Sequence, residues 1–248
     1  MVTIHVLQND GWVIPCVYMR LPGELTTLYT AALEALDSLP QVHLDPQTVL
    51  ADYELAIRNS VLTIWPCTVV RGCLFHFKQA MLRNAGSMGL ASFYKIIGSP
   101  VRRAIQLLGA LAFVPEGDVF EVYHKIKPTL TDDVGEFLEY MESTWIGSPG
   151  SPAKYPPSEW NQHTYCLDKL CRSSNQIEGW HNGFNRIVEC SHPSFHIFCE
   201  AILTEQGLTA DKISQHKKKR LPAVRRKKWV ALEQQQHDQC DQYDFDKS

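Results

Sequence analysis

The sequence predicts a mixed α/β protein that carries an all-helical insertion, and three observations lead to this fold class. Two β-branched and aromatic-rich runs, residues 2–8 and 12–21, flank an Asn-Asp-Gly turn, which is a strong hairpin signal. Apolar residues then recur at helical spacing from Thr26 to Leu39. From about Leu90 to Trp145 every segment has a helical pattern, and breaks that contain proline or glycine separate these segments.

Short apolar runs alternate with helical patterns in the first third of the chain. The run TVLA at residues 48–51 predicts a strand, and the pattern that follows predicts a helix over Tyr53–Trp65. A second strand is predicted over residues 68–76, followed by a helix near Phe77–Asn84. The order β-β-α-β-α-β-α indicates a mixed sheet in an α/β layer. Two more helices are predicted near the end of the chain, at residues 175–189 and 194–208.

Composition excludes several protein classes. The chain has 248 residues, of which 44% are hydrophobic, and this favours a globular protein over a disordered or fibrous one. No apolar run approaches the ~18–20 residues that a membrane helix needs, so we expect no membrane partner. The N-terminus has no basic region followed by a long apolar segment. We therefore expect the eight cysteines to be reduced thiols of an intracellular protein.

Basic charge is concentrated in one segment of the chain. Residues 212–228 contain nine Lys/Arg and no Asp/Glu, whereas the whole chain has a net charge of -3. The charges form two clusters, Lys217–Arg220 and Arg225–Lys228. Such clusters are typical of a nuclear-import signal or of a phosphate-binding patch, and the alternative is a solvated flexible tail.

Two acidic residues stand where α/β proteins place functional carboxylates. Asp52 follows the strand TVLA directly, at the carboxyl end where open sheets contact ligands. Its alternative role is to cap the helix that follows. Glu178 lies on the polar side of a helical pattern whose buried side includes Trp180. Its alternative role is a capping box, because Asn175-x-x-Glu178 has that spacing.

Cys73 and His76 have the spacing of half a zinc site. Cys67 lies nearby in sequence, and a second half would come from residues elsewhere in the chain: Cys166, Cys171, Cys190, His192, His196 and Cys199. None of these forms a Cys-x2-Cys pair, and their gaps are irregular. Packing of Cys73 and His76 at a strand–helix junction is therefore favoured over structural zinc.

The quoted motifs together resemble one family. The segments VLADYELAIRNSV, VRGCLFHFKQAMLRN and SSNQIEGWHNGFN occur in this order, with Pro66 between the first two. They resemble the transposase domain of Mutator-like elements (MULE), a family of DDE transposases with an RNase H-like fold. The resemblance runs from Val2 to about Gln206, over most of the chain.

The resemblance implies a mechanism and a role for each motif. In this family two Asp and one Glu hold two Mg²⁺ (or Mn²⁺) ions for cleavage and transfer of DNA strands. Asp52 matches the second acid and Glu178 the third, so both are expected to be catalytic metal ligands. Cys73 and His76 match the family's Cys-x2-His signature, which is expected to serve local architecture or substrate contact. Hard oxygen ligands suit Mg²⁺, and zinc is not expected.

The resemblance also implies a domain organisation. We expect the first part of an RNase H-like core at residues 1–89, a helical insertion at 90–172, closing core helices at 173–210 and a disordered tail at 211–248. The family's first Asp lies on a strand upstream of the segment that here begins VTIHV. The sheet is therefore expected to lack its opening strand, and the chain to be an inactive fragment or remnant of a transposase.

DNA is the expected partner, and the chain is also expected to associate with further copies of itself as a homo-oligomer. The expected location is the nucleus. The residues expected to contact DNA are the basic ones of the two clusters: Lys217, Lys218, Lys219, Arg220, Arg225, Arg226, Lys227 and Lys228. The alternative function is that of a domesticated, catalytically inactive nuclear protein that binds DNA or another partner through this segment.

Overall fold

A computed structural model of the chain describes residues 1–8, 11–148, 150–168, 170, 175–190, 193–218 and 227–245. The strands are β1 (Val2–Leu7), β2 (Val13–Met19), β3 (Thr48–Ala51) and β4 (Val69–Gly72). The α-helices are α1 (Thr26–Asp37), α2 (Leu55–Ile64), α3 (Leu74–Ser87), α4 (Ala91–Lys95), α5 (Pro100–Ala110), α6 (Val119–Ile126), α7 (Gly135–Met141), α8 (Pro157–Trp160), α9 (His163–Leu167), α10 (Asn175–Val188), α11 (Phe195–Lys217) and α12 (Lys227–Phe245). Among the described residues, none of these helices combines the length and hydrophobicity needed to cross a bilayer.

The predicted mixed α/β class is confirmed, but the strands form two small sheets. β1 and β2 pair as an antiparallel hairpin, with Val2 opposite Met19 and a bulge after Ile4. β3 and β4 pair in parallel. In the described part of the chain no ladder joins the hairpin to β3–β4, in contrast to the one mixed sheet that the sequence predicts.

One helical layer supports both sheets. α1 and α2 pack together, and Thr30 Oγ1 donates a hydrogen bond of 3.0 Å to Ser60 Oγ between them. Leu33 of α1 and Val61 of α2 are buried in a cluster with Val70 of β4. Side chains of the hairpin, including Ile4, pack against the same cluster. The hairpin and the parallel pair are therefore tied together by side-chain packing on these helices.

β4 is shorter than the sequence predicts. The predicted strand extends to residue 76, but β4 ends at Gly72 and Cys73 is the N-cap of α3. Residues 73–75 are apolar and so continue the strand pattern, yet Leu74 is buried as the first residue of a helix. Burial on a helix and burial on a strand leave the same signal in so short a run.

The largest core lies among α3, α5, the turns that follow and the aromatic residues near 145–160. Trp145 is in a π-helix that spans Glu142–Ile146, and its exposed fraction is 1%. Phe77 stacks on Trp160 with ring centroids 4.9 Å apart and meets Trp145 edge-on. The Nε1–H group of Trp160 donates to the Trp145 carbonyl at 2.9 Å, so its polar atom is satisfied inside the core.

A buried polar segment joins this core to the parallel strands. Gln162 is 1% exposed, and its Nε2 donates to the carbonyls of Trp160 at 3.0 Å and Gly72 at 3.3 Å. Asn161 Nδ2 donates to the Val114 carbonyl at 2.6 Å. Because each of these bonds satisfies a group removed from water, the segment holds the end of β4 at a fixed position against the helices.

The described residues beyond 211 are helical, whereas the sequence predicts a disordered tail there. α11 continues to Lys217, and α12 packs against α9. Cys240 is 2% exposed on α12, and Tyr243 donates a hydrogen bond of 3.2 Å to Asp118. The proposed domain boundaries, including that at 211, stay predictions.

Candidate metal centre

The parallel pairing of β3 and β4 brings two of the sequence candidates to one edge. Ala51 is opposite Gly72 in the register, and the Cys73 amide donates to the Ala51 carbonyl at 2.9 Å. Asp52 is therefore the first residue after β3, and Cys73 is the first residue after the neighbouring strand β4. The carboxyl ends of parallel strands are where α/β proteins assemble ligand sites.

Asp52 is exposed and bonded to the backbone of the turn that follows it. Its Oδ1 accepts a hydrogen bond of 3.1 Å from the Glu54 amide. α2 begins at Leu55 and its N-cap position is Glu54, so Asp52 is not the cap residue itself. It stabilises the turn that enters α2, and its other oxygen is not used by this bond.

Cys73 and His76 lie in the first turn of α3. Cys73 is fully buried and His76 is half-buried. Interaction with the Cys73 side chain raises the pKa of His76 above its ordinary value, and the charges of Asp52 and Glu178 raise it further. Burial of the ring opposes this shift. Both acids therefore lie close enough to act on the imidazole. Nδ1 of His76 is buried, and within the described residues it has no hydrogen-bond partner.

Glu178 completes a cluster with these two residues. One ligand atom from each of Cys73, His76 and Glu178 lies within 4.8 Å of the others. Among the described residues, Asp52 is not part of this group, because its carboxylate does not lie within 4.8 Å of all three ligand atoms. The donor set is therefore a thiol, an imidazole and a carboxylate, with a second carboxylate at the adjacent strand end.

Trp180 fixes the helix that carries Glu178. Its Nε1–H donates to the buried carboxylate of Glu205 on α11 at 2.7 Å, and its ring stacks on Phe184 with centroids 5.2 Å apart. It also meets His5 of β1 edge-on at 5.0 Å. α10 is thereby held to both α11 and the hairpin. The side chain of Asn175 lies outside the described residues, so the alternative capping box is untested.

A second group of charged residues surrounds Asp52 on its other side. Arg58 of α2 forms a salt bridge of 2.8 Å with Glu159, and both line a small cleft with Asp52. Burial raises the pKa of the Glu159 carboxyl, opposed by the charge of Arg58. Arg71 of β4 also lines the cleft; its guanidinium lies 3.8 Å from the Tyr165 ring centroid and donates to the Asn161 carbonyl.

Sequence reasoning missed these neighbours of Asp52. The signal for Arg71 is present, since it is a charged residue inside an apolar strand, where a side chain must find partners. Arg58 and Glu159 carry no local signal, because their pairing depends on the contact between α2 and the region of α8.

The other sequence candidates lie apart from this cluster. Cys166 is buried, and Cys190, His196 and Cys199 form no group of three ligands with it among the described residues. Cys171 and His192 lie outside the described residues. Trp145 is a core residue.

The basic clusters are described only in part. Lys217 and Lys218 are exposed at the end of α11. Lys219, Arg220, Arg225 and Arg226 lie outside the described residues, and so do the side chains of Lys227 and Lys228 on α12. DNA contact by these eight residues stays a prediction.

Comparison with known proteins gives one match. Residues 1–80, about a third of the chain, match the family model described as the MULE transposase domain. The match spans the hairpin, the parallel pair, Asp52, Cys73 and His76, and it ends before Glu178. No curated protein and no solved structure matches the chain.

Proposed function

We infer a function related to transposition from the match of residues 1–80 to the MULE transposase domain. We propose that this chain is a fragment or remnant of a MULE-type transposase, whose complete form cleaves and transfers DNA strands, and that Asp52 and Glu178 supply two of the three carboxylates that the family resemblance implies. In this proposal the hairpin, β3, β4 and α10 are parts of an RNase H-like core. The observation that supports it is the place of Asp52 at the end of β3, inside the matched segment and beside the Cys73–His76–Glu178 cluster.

The donor set fits a hard divalent cation in part. Asp52 and Glu178 supply carboxylate oxygens, which Mg²⁺ and Mn²⁺ prefer, whereas the thiol and imidazole between them are poor ligands for these ions. A bound Mg²⁺ would polarise the scissile phosphodiester and stabilise the leaving oxygen. Asp52 is exposed and Glu178 is half-buried.

A nicking assay tests this proposal. Purified full-length chain is incubated with supercoiled plasmid and MnCl₂ or MgCl₂, and relaxed product is measured. Because only two of the three acids are assigned in this chain, we expect weak metal-dependent nicking, and it should fall at least about 100-fold in Asp52→Asn and in Glu178→Gln, since each substitution removes a charged ligand. Asp37→Asn, at the end of α1, is the matched control and is expected to keep full activity.

The second candidate function is that of an inactive nuclear DNA-binding protein. It is favoured by the hydrogen bond that Asp52 accepts from the Glu54 amide and by the mixed donor set around Glu178, neither of which favours two-metal catalysis. In this proposal the basic residues 217–228 contact the DNA backbone and direct import to the nucleus. DNA binding by the wild-type chain with no nicking in either metal would establish this candidate over the first.

A further inference from the structure

We propose that Cys73, His76 and Glu178 form a binding site for a thiophilic divalent cation of the Zn²⁺ class, which shares Glu178 with the carboxylate pair of the proposed reaction and adds a thiol and an imidazole in place of Asp52. The proposal rests on the donor set and its geometry, and it does not depend on transposase activity. It differs from the sequence expectation because the sequence offers only two nearby donors, Cys73 and His76. The fold adds the third from α10.

The geometry is close to that of a bound metal. The three ligand atoms lie within 4.8 Å of one another. Zn–S bonds of about 2.3 Å and Zn–N and Zn–O bonds of about 2.0–2.2 Å place tetrahedral ligands roughly 3.5 Å apart. Side-chain movements of about 1 Å therefore bring the three donors into contact with one ion. Three protein ligands leave a fourth position for water, as in open zinc sites.

The ligand types select the metal. A thiolate and an imidazole favour Zn²⁺ and related transition metals over Mg²⁺ or Ca²⁺. Cys73 is fully buried, which leaves it poorly accessible to oxidants, while the half-buried His76 and Glu178 leave a route for the ion. Binding converts the Cys73 thiol to a thiolate and releases its proton to solvent.

The buried Nδ1 of His76 is a second indication of a ligand. It has no hydrogen-bond partner within the described residues, although buried polar atoms are normally satisfied. A metal bound by this ring, through either nitrogen, would fix the imidazole between Cys73 at the N-cap of α3 and Glu178 on α10. The ion would thus join the end of β4 to a helix that is distant in sequence.

Cobalt and zinc titrations of the full-length chain test the site. Metal-free protein is titrated with Co²⁺, and thiolate-to-cobalt charge transfer in the near ultraviolet is recorded. Zn²⁺ affinity is then measured by competition with a chromophoric chelator. We expect one equivalent of Co²⁺ with a thiolate signal, displaced by one equivalent of Zn²⁺. Cys73→Ser should remove the charge-transfer band, and Glu178→Gln should weaken Zn²⁺ binding by more than tenfold, since even outer-shell changes cost about 10–100-fold.

Two controls distinguish this site from metal binding at another cysteine and from the carboxylate pair. Cys67→Ser removes an exposed cysteine six residues before Cys73 and should leave the thiolate signal unchanged. Asp52 is not one of the three donors, so Asp52→Asn should change Zn²⁺ affinity far less than Glu178→Gln does, while it lowers nicking at least about 100-fold. The two proposals can therefore fail separately. Circular dichroism confirms that each variant is folded before titration. Absence of stoichiometric Zn²⁺ binding by the wild type, or a thiolate signal that persists in Cys73→Ser, would overturn the proposal.

Discussion

Single residues at the end of β4 show how tightly the candidate site is packed against the core. A Cβ added at Gly72 would lie 2.3 Å from the Tyr53 ring, a distance that real side chains do not adopt. Tyr53 in turn meets Trp145 and Tyr155 edge-on, and the Tyr155 hydroxyl donates to the Tyr53 carbonyl at 2.7 Å. The structure therefore has no room for a side chain at residue 72, which lies near Asp52 at the end of the parallel strands.

Gly72→Ala is expected to destabilise the protein by about 1–3 kcal/mol, because the aromatic cluster must shift to admit a methyl group. Urea unfolding followed by tryptophan fluorescence measures the change. Gly86→Ala is the matched control: Gly86 is exposed on α3 with open space around its Cα, so alanine should be neutral or stabilise by about 0.5–1 kcal/mol. Equal stability of the two variants would contradict the packing at Gly72.

His5 makes stability depend on pH. Burial, together with the charge of His181, lowers the pKa of His5 to about 4. The unfolded chain has the ordinary value near 6.5, so it binds more protons than the folded chain between these values. Stability from this residue is therefore present above about pH 6.5 and is lost as pH falls toward 4.

His5→Gln is expected to reduce the loss of unfolding free energy between pH 7 and pH 5. Because the ring is half-buried and solvent screens it, we expect a difference on the order of 1 kcal/mol. Urea unfolding at the two pH values measures it. His124→Gln, an exposed position on α6, serves as the control and should retain the wild-type pH dependence. The same loss in His5→Gln as in the wild type would contradict this assignment.

At the scale of elements, α12 is the helix whose docking the sequence least suggests. It packs against α9, and Cys240 is buried opposite Phe113, with its Sγ 3.7 Å from the Phe113 carbonyl. A groove lies beside this contact and is lined by α3, α5 and α12. Cys240 and Tyr243, which donates a hydrogen bond to Asp118, therefore lie on the face of α12 that meets the helical core.

Cys240→Asp is expected to release α12, because it places a charged carboxylate at a position that is only 2% exposed. Hydrogen exchange measured by mass spectrometry should then show faster exchange in α12 peptides than in the wild type. Gln239→Asp places the same charge at the adjacent exposed position and should not change exchange. Unchanged protection of α12 in Cys240→Asp would show that the helix is held in another way.

At the scale of the whole molecule, charge separates the chain into a core with excess acid and one basic segment. Residues 212–228 contain nine basic residues in a protein whose net charge is -3. Neutral replacement of Lys217–Arg220 and Arg225–Lys228 should weaken DNA binding at low salt. It should also flatten the salt dependence, whose slope is about -0.9 per phosphate contact. Fluorescence anisotropy with a labelled duplex at several salt concentrations measures both.

Replacement of basic residues outside this segment is the control for nonspecific charge effects. Lys95, Arg103 and Lys125 are exposed on the helices α4, α5 and α6. Their change to Gln should alter affinity slightly and leave the salt slope close to that of the wild type. An unchanged slope after neutralisation of residues 217–228 would exclude this segment as the DNA contact.

The sequence predicts local elements well and long-range contacts poorly. The hairpin and β3 match their predicted ranges closely, since a turn and β-branched runs determine both within a few residues. The predicted range of β4 is too long because buried residues of α3 continue its apolar run. The docking of α12 has no local signal, since it depends on contacts with residues far away in sequence.

The same distinction holds at the candidate site. The place of Asp52 after β3 follows from the local pattern, whereas the neighbours of Asp52 do not. Glu178 is identified by its resemblance to a family motif, and its approach to Cys73 and His76 depends on the anchoring of α10 through Trp180. Spacing along the chain cannot report such an approach, because tertiary packing determines it.

Asp52 and Glu178 are proposed to hold a divalent cation at the carboxyl ends of β3 and β4. Diffraction recorded at the manganese absorption edge from crystals grown with MnCl₂ and a short DNA duplex tests it most directly. We predict an anomalous peak in contact with both carboxylates, and its loss in crystals of Asp52→Asn. Manganese bound only elsewhere in the wild type, or a peak that persists in Asp52→Asn, would contradict the claim.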